Sequence, residues 1–553
     1  MLPPDPLVPT PAAAKSAGDS LLRHARPVTN GAFTYISPVP SDNPKLLCTS
    51  PAAFLSLGLS ISERETPRFR DLVSGNYFWE DCYPWSTCYG GWQFGSWAGQ
   101  LGDGRAISLG EITNTGTNER FELQLKGAGK TPYSRFAGDG NAVLRSSIRE
   151  FLVSEALHAL NIPTTRALSL VKIDRYALRE TVEQCAIVCR MAQSWLRIGH
   201  FDLPRLRGDR DLLRRIADYA IKDVFDGVDK LPEPFEAGGN RYERFYREVI
   251  QRSARTTSKW QAYGFINGVL NTDNISIFGL SLDFGPFAFM DTFDPDYTPN
   301  HDDHMLRYSY RNQPSVMWWN LNRFGIDICE LFASENKVDD PEFISKGIND
   351  NDENTMNKKA ERVIMAGITE FKKIFMEDYK ELMRKRLGFV DSKDTDFDFT
   401  SETLNLMEVL KLDFHHFFRR LSSVPLFTYS SPLEFEEGAK IVLPARDSSN
   451  SKAIKKMSHF LQKYQERLRQ EETTDDIERK KRMNEVNPKF VLRPWLVQEI
   501  VRRVEKDGEE GLLDRIMKML LSPFDDHWGD EEEERFCGDV PQTEQQLQCS
   551  CSS

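Results

Sequence analysis

The sequence predicts an α+β protein of two lobes. The first is built on a mixed β-sheet and the second on helices, with additional helices toward the C-terminus. Three observations predict it. Between residues 105 and 190 apolar residues alternate with polar ones in several short runs, the period of half-buried strands. One stretch among them, Ala142–Leu160, instead repeats Leu144, Ile148, Phe151, Leu152 and Leu160 at helical spacing. From residue 209 onward helical patterns dominate, interrupted by a loop-rich stretch at 271–316.

Composition bounds the partners. At 553 residues the chain is long enough for more than one packed unit, and 40% hydrophobic with 28% charged residues is ordinary for a soluble globular protein. A formal net charge of −12 argues against nucleic acid as the main partner. No apolar run approaches the length needed to cross a bilayer, so no membrane partner is expected. Nine cysteines in so long a chain do not make a disulfide scaffold, which points to a reducing compartment. Cys537, Cys549 and Cys551 crowd into a tail of little apolar content, where exposed thiols are expected.

In chain order, residues 1–30 are rich in Pro, Ala and Ser and read as a flexible segment, disordered or draped on the surface. They lack the Arg-rich, acid-poor pattern of a transit peptide. Residues 31–208 form the first lobe. In it Arg105–Ile112 and Phe121–Lys126 make a hairpin across the polar turn Thr113–Asn118, and Ala167–Ile173 and Gln184–Arg190 are further strands. Phe121, Leu123 and Leu125 alternate, which puts Lys126 on the face opposite the apolar one; Arg190 likewise lies opposite Cys185, Ile187 and Cys189. Residues 209–330 form the second lobe, 331–362 an acidic surface insertion, 363–525 a helical region and 526–553 an acidic, Cys-containing tail opened by Glu531–Glu534. A single charged helix is expected over about 454–483.

The stretch Gly127–Thr131, GAGKT, imitates the end of a phosphate-binding P-loop, but the spacing excludes it. The motif requires Gly at 124, where this chain has Gln124. Pro132 follows Thr131, against a helix starting there.

Five other features occur in a meaningful order. They are the glycine-rich Gly99-Gln-Leu-Gly102-Asp-Gly104-Arg105, Lys126 at a strand end, Glu150 in the long helix, Asn271-Thr272-Asp273-Asn274, and Asp283-Phe284-Gly285. Taken singly, each has an ordinary reading as a turn, a solvated charge or a chance tripeptide. Together they follow the order of the protein-kinase fold. There a lysine neutralises nucleotide phosphates, a glutamate fixes the lysine, and Asn and Asp oxygens suit Mg²⁺, a hard cation. The chain departs from that pattern: HRD is missing, Asp273 and Asn274 are adjacent, and no APE follows the DFG.

The blocks QFGSWAGQLGDGRAISLGE (93–111), LKGAGKTPYSRFAGDGNAVLRSSIREFLVSEALHALNIPTTRAL (125–168), GVLNTDNISIFGLSLDFGPFAFMD (268–291), YRNQPSVMWWNLNRF (310–324) and NPKFVLRPWLVQEIV (487–501) resemble the selenoprotein O family of kinase-like protein adenylyltransferases. The resemblance runs from about residue 33 to the C-terminus. It implies that the nucleotide is held flipped relative to protein kinases, so that AMP passes from ATP to a protein Ser, Thr or Tyr hydroxyl and pyrophosphate leaves. It implies that Gly102, Gly104, Arg105, Lys126, Asp139, Gly140, Arg190 and Arg197 contact ATP and that Glu150 pairs with Lys126. It makes Asp273 the general base and Asn274 and Asp283 the ligands of Mg²⁺, or of Mn²⁺, with Asp283 also near the nucleotide. Trp92 and Asn267 stand where the family usually has His; neither is a nucleotide or metal ligand.

The chain ends Cys549-Ser-Cys551-Ser-Ser, with Cys551 where many animal members carry selenocysteine. A C-x-C pair near a chain end suits thiol–disulfide exchange with a redox partner. Some bacterial members have Cys where Pro299 precedes Asn300-His301, so that bridge is closed here and Cys537 is the alternative partner. The resemblance also implies a mitochondrial location, otherwise a cytoplasmic one. The competing readings are a divergent kinase moving the γ-phosphate and a non-catalytic ATP-binding scaffold; complete Lys, Glu, Asn and Asp ligands count against the scaffold.

Overall fold

The computed structural model describes residues 2–136, 138–349, 353–471, 475–541 and 544–549. Nine strands form one sheet: β1 (Phe33–Tyr35), β2 (Lys45–Thr49), β3 (Trp85–Gln93), β4 (Ser96–Gly102), β5 (Ala106–Thr113), β6 (Arg120–Lys126), β7 (Ala142–Val143), β8 (Arg166–Leu178) and β9 (Val182–Ala192). The order is β1-β3-β5-β6-β9-β8-β2, with β4 on β3 and β7 on β9. Every pairing is antiparallel, which corrects the mixed sheet expected. The turns joining β3–β4, β5–β6 and β8–β9 are too short for the crossover that parallel neighbours need. The hairpin expected across Thr113–Asn118 forms, in register from Ala106↔Lys126 to Thr113↔Arg120.

Alternation along β6 and β9 separates two surfaces. Leu123, Leu125, Ile187 and Cys189 join one core with Val8, Phe54 and Phe69 from the N-terminal segments. Of the two readings of residues 1–30, disordered or draped on the surface, residues 2–30 match the second, lying against this core. Val8 and Leu22 are buried, Asp5 N donates to Phe33 O at 2.7 Å, and Arg26 pairs with the buried Asp5 carboxylate. Gln124, Lys126 and Arg190 point to the opposite face. Across from them lies the Leu144–Ala159 helix, close to its expected span, with Ile148, Phe151 and Leu152 buried. Two C-terminal helices, Pro494–Lys506 and Leu512–Leu521, pack on this helix from behind.

The rest is helical, around a larger core. Helices Arg241–Ala262, Gln313–Ala333 and Glu353–Arg386 pack side by side. The last runs through the expected boundary at 362. Buried Lys359 ties it down by ion pairs to Glu236 (3.0 Å) and Glu335 (3.3 Å). The single charged helix expected over 454–483 is two, Ser451–Leu468 and Asp476–Asn484, the second capped by the Asp475 side chain on Ile477 N at 2.8 Å. The two described tail cysteines are not fully exposed either. Cys537 is half-buried, and half-buried Cys549 bridges to Asn300: its N–H donates to Pro299 O and its carbonyl accepts from His301 N–H, both at 3.0 Å. Cys551 lies outside the described residues. No helix among the described residues is long and apolar enough to cross a membrane.

Candidate active site

The antiparallel register of β6 and β9 sets Gln124 opposite Arg190 and Lys126 opposite Val188, so three polar side chains share one patch of sheet. Glu150 rises from the facing helix to meet them. Lys126 Nζ pairs with one Glu150 oxygen, and Arg190 donates to the other at 2.8 Å. Arg190 also donates to Gln124 Oε1 and stacks over Trp195 at 4.3 Å. Glu150 and Arg190 are 5% and 3% exposed at the side chain, so neither charge is stabilised by bulk water and each depends on the other.

Asp283 enters from the helical side and completes the cluster. Its carboxylate accepts from Lys126 at 3.1 Å, Arg190 at 2.7 Å and Arg197 at 2.6 Å. Burial alone would raise its pKa; Lys126, Arg197 and Arg190 together hold the carboxyl well below the usual range. Its backbone has φ +45°, a left-handed conformation that non-glycine residues rarely adopt and that the surrounding contacts must hold. Arg197 also donates to Asp273 O at 2.8 Å and lies over the Tyr89 ring at 4.6 Å.

Asp273 and Asn274 follow in a short turn, Thr272–Asn274, and the end of β3 docks on it. Trp92 N donates to Thr272 Oγ1 (2.8 Å), Gln93 Nε2 to Asp273 Oδ2 (3.0 Å) and Phe94 N to Asn271 Oδ1 (3.3 Å). Gly91 allows the approach, since a Cβ there would sit 2.5 Å from Asp273 Oδ1. Burial pushes the Asp273 carboxyl up to about 6, against the lowering effect of the Gln93 hydrogen bond and Arg197. Asn274 Nδ2 donates to Val269 O at 2.9 Å. That bond decides which end of the amide is its nitrogen and leaves its oxygen for a cation. With the Asp283 carboxylate, the donor set is all oxygen, which fits a hard divalent metal.

The glycine turn Gly102–Arg105 joins β4 to β5 and roofs the cavity. The end of the misleading GAGKT stretch and the residues after it support the turn: Thr131 Oγ1 donates to Asp103 O at 2.8 Å and Ser134 Oγ to Gly104 O. Gly140 turns at φ +76° with no room for a side chain, a Cβ falling 2.1 Å from Lys130 N. The cavity measures about 540 Å³. Gly102, Gly104, Arg105, Lys126, Asp139, Gly140, Glu150, Arg190, Asp273, Asn274 and Asp283 all line it. Arg197 lies beneath Asp283, 1% exposed and outside the residues that line the cavity. Asp139, expected at the nucleotide, has its carboxylate in a two-point ion pair with Arg179 at 2.8 and 3.0 Å. Sequence reasoning missed Arg179, Gln93 and Gln124. Gln124 alone had a signal, its place two residues before Lys126 on the same face of one strand.

Lys126, Arg190 and Arg105 on one cavity wall, under a glycine turn, make an anion-binding cleft of the kind that handles phosphates, in an antiparallel α+β protein. The profile described as "Protein adenylyltransferase SelO" matches residues 25–521. The chain is 45% identical to "Protein adenylyltransferase SelO, mitochondrial" of Schizosaccharomyces pombe over 100% of this chain and 97% of that protein. It is 37% identical to "Protein nucleotidyltransferase YdiU" of Aromatoleum aromaticum (93% of this chain, 92% of the relative) and of Azotobacter vinelandii (94% and 96%). The chain belongs to the protein adenylyltransferase SelO family.

Proposed function

We propose that this protein transfers AMP from ATP to Ser, Thr or Tyr hydroxyls of other proteins and releases pyrophosphate. The observation that carries the reading is the convergence of Lys126, Arg190 and Arg197 on Asp283, with Arg197 also bonded to the Asp273 carbonyl. Family membership supplies the reaction class, and the relatives' printed names supply the adenylyl group and the protein acceptor.

In this reading residues 31–208 and 209–330 are the two lobes of a kinase-like fold, with 363–525 as added helices. Lys126, Arg190 and Arg105 attract the phosphates, Glu150 holds Lys126 and Arg190 in place, and Gly102, Gly104 and Gly140 let the backbone approach the nucleotide. Arg197 fixes Asp283 and the Asp273 carbonyl from below. Asn274 and Asp283 would hold Mg²⁺, which supplies charge neutralisation at the phosphate oxygens. Asp273 accepts the acceptor's hydroxyl proton. The acceptor oxygen bonds to the α-phosphorus, and the bond from that phosphorus to the pyrophosphate oxygen breaks, its electron pair leaving with pyrophosphate. Positioning and charge, more than proton removal, lower the barrier. A mitochondrial location follows the name of the S. pombe relative. Thiol exchange with a redox partner is assigned to Cys549 and Cys551, with Cys537, whose thiol burial pushes up to about 12, as the alternative.

The test is incubation with Mg²⁺ and ATP labelled on either the α- or the γ-phosphate, with Asp283→Ala beside it. Label retained on protein from α-labelled ATP alone, and lost in the variant, is the expected result. Label from γ-labelled ATP alone makes this a kinase, and no label with ATP still bound makes it a scaffold.

A further inference from the structure

The cavity wall carries a second group of cations beside the Lys126–Arg190 pair. Lys126, Arg190 and Arg197 face Glu150 and Asp283, with Asp103 at 4.0 Å from Arg197; three cations meet three carboxylates. Arg105, Arg135 and Arg179 line the same cavity wall, and the carboxylate that an ion pair ties to this second group of cations is Asp139. Arg179 comes from the tip of the β8–β9 hairpin, just after Leu178. Its guanidinium donates to both Asp139 oxygens, at 2.8 and 3.0 Å, and to Asn141 O at 3.3 Å. Arg105 donates to that same Asn141 carbonyl at 3.4 Å. Neither Arg105 nor Arg135 has a carboxylate partner among the described residues. Glu183 of the same hairpin is taken by Arg145 in a two-point pair (2.5 and 3.1 Å).

Two guanidinium groups sharing one neutral carbonyl, with a third lining the same wall, repel one another. An anion spanning them would offset that repulsion, which for Arg105 the neighbouring Glu150 and Asp283 charges already oppose in part. A planar guanidinium already held in two-point geometry by a carboxylate is shaped to take two phosphate oxygens instead. The anion must be multiply charged and reach outward from the Asn274–Asp283 end, where the transferred group sits.

We propose that Arg179 is a binding residue for the β- and γ-phosphates, exchanging Asp139 for them, and that it holds pyrophosphate as the leaving group. The proposal rests on the adenylyl-transfer reading. Asp139 then acts through Arg179, storing the guanidinium in position while no phosphate is present and competing with pyrophosphate for it afterwards. No bond is made or broken by Arg179 itself; the electron pair of the broken phosphorus–oxygen bond stays on pyrophosphate, beside the three guanidinium groups.

The experiment is calorimetric titration of the full chain with magnesium pyrophosphate and, separately, with AMP, in wild type, Arg179→Gln, Arg179→Lys and Asp139→Asn. Loss of a charge-assisted pair predicts about tenfold weaker pyrophosphate binding in Arg179→Gln. Arg179→Lys should lie between that variant and wild type, Asp139→Asn should bind pyrophosphate more tightly, and AMP affinity should be unchanged in all three. Unchanged pyrophosphate affinity in Arg179→Gln, or an equal loss for AMP, overturns the proposal. Should Arg179→Gln fail to fold, the Lys and Asn variants decide by the same ordering. Label position in wild type keeps the two readings apart. Transfer of α-label with unchanged pyrophosphate affinity sinks the Arg179 role alone, and transfer of γ-label sinks both.

Discussion

Gln93 donates its side-chain N–H to the Asp273 carboxylate at 3.0 Å, from the last residue of β3 across to the turn that bears the proposed base. The bond holds the carboxylate that faces the cavity and ties the sheet to the Thr272–Asn274 turn. Replacing Gln93 by Ala should lower kcat for AMP transfer about tenfold, the scale of one lost hydrogen bond to a charged group, with KM for ATP within about twofold. Steady-state kinetics checks the split. A parallel rise in KM would mean that Gln93 supports the cleft as a whole.

Asp283 neutralises three cations. Asp283→Asn should abolish AMP transfer, since the oxygen set for the cation is lost. The same change frees Lys126, Arg190 and Arg197, so ATP without metal should bind the variant more tightly than wild type. Calorimetry in the presence of a chelator reads this directly, and weaker metal-free binding would contradict it.

Glu150 is the buried partner of both Lys126 and Arg190. Glu150→Ala leaves two buried cations with Asp283 as their shared partner, which should destabilise the fold by about 3 kcal/mol. Urea unfolding of the two proteins at neutral pH measures it, and a variant as stable as wild type would mean that water enters the cluster freely.

The C-terminal helices are bound to the tail by charges. Glu532 meets Arg503 and Arg515 at 2.9 Å each and Arg535 at 2.8 Å. Hydrogen bonding from Arg503 and these neighbours lowers its carboxyl to about 2. A folded-state pKa below the unfolded one adds stability that is present above the ordinary value of 4.5 and is lost as pH falls toward about 2. Glu532→Gln should therefore lower the thermal midpoint at pH 7, and the difference should vanish on acidification and shrink in high salt. A difference independent of pH would assign the effect to packing.

Much of the site was legible in the order of residues. Lys126, Glu150, Asp273, Asn274 and Asp283 carry their chemistry in residue type, and the alternation of β6 and β9 put Lys126 and Arg190 on the polar face. What composition leaves open concerns packing. By composition the N-terminal segment reads as either disordered or draped on the surface; Val8 and Leu22 find an apolar surface that only the folded sheet creates. The acidic stretch before residue 362 reads as an insertion because its charges are counted locally; Lys359 finds its carboxylates on distant segments.

By itself the sequence determined the residue types that can bind phosphate and metal, the spans of the main strands and the glutamate helix, and the family. These are properties of spacing and side-chain chemistry, readable without a third dimension. Tertiary structure alone decided that Arg197 lies beneath Asp283, that Gln93 holds Asp273 and that Arg179 holds Asp139, partners 86, 180 and 40 residues apart. The physical reason is that a charge's partner is set by distance in space and by loss of water. A chain that folds an antiparallel sheet over helices brings together groups whose separation along the sequence carries no signal.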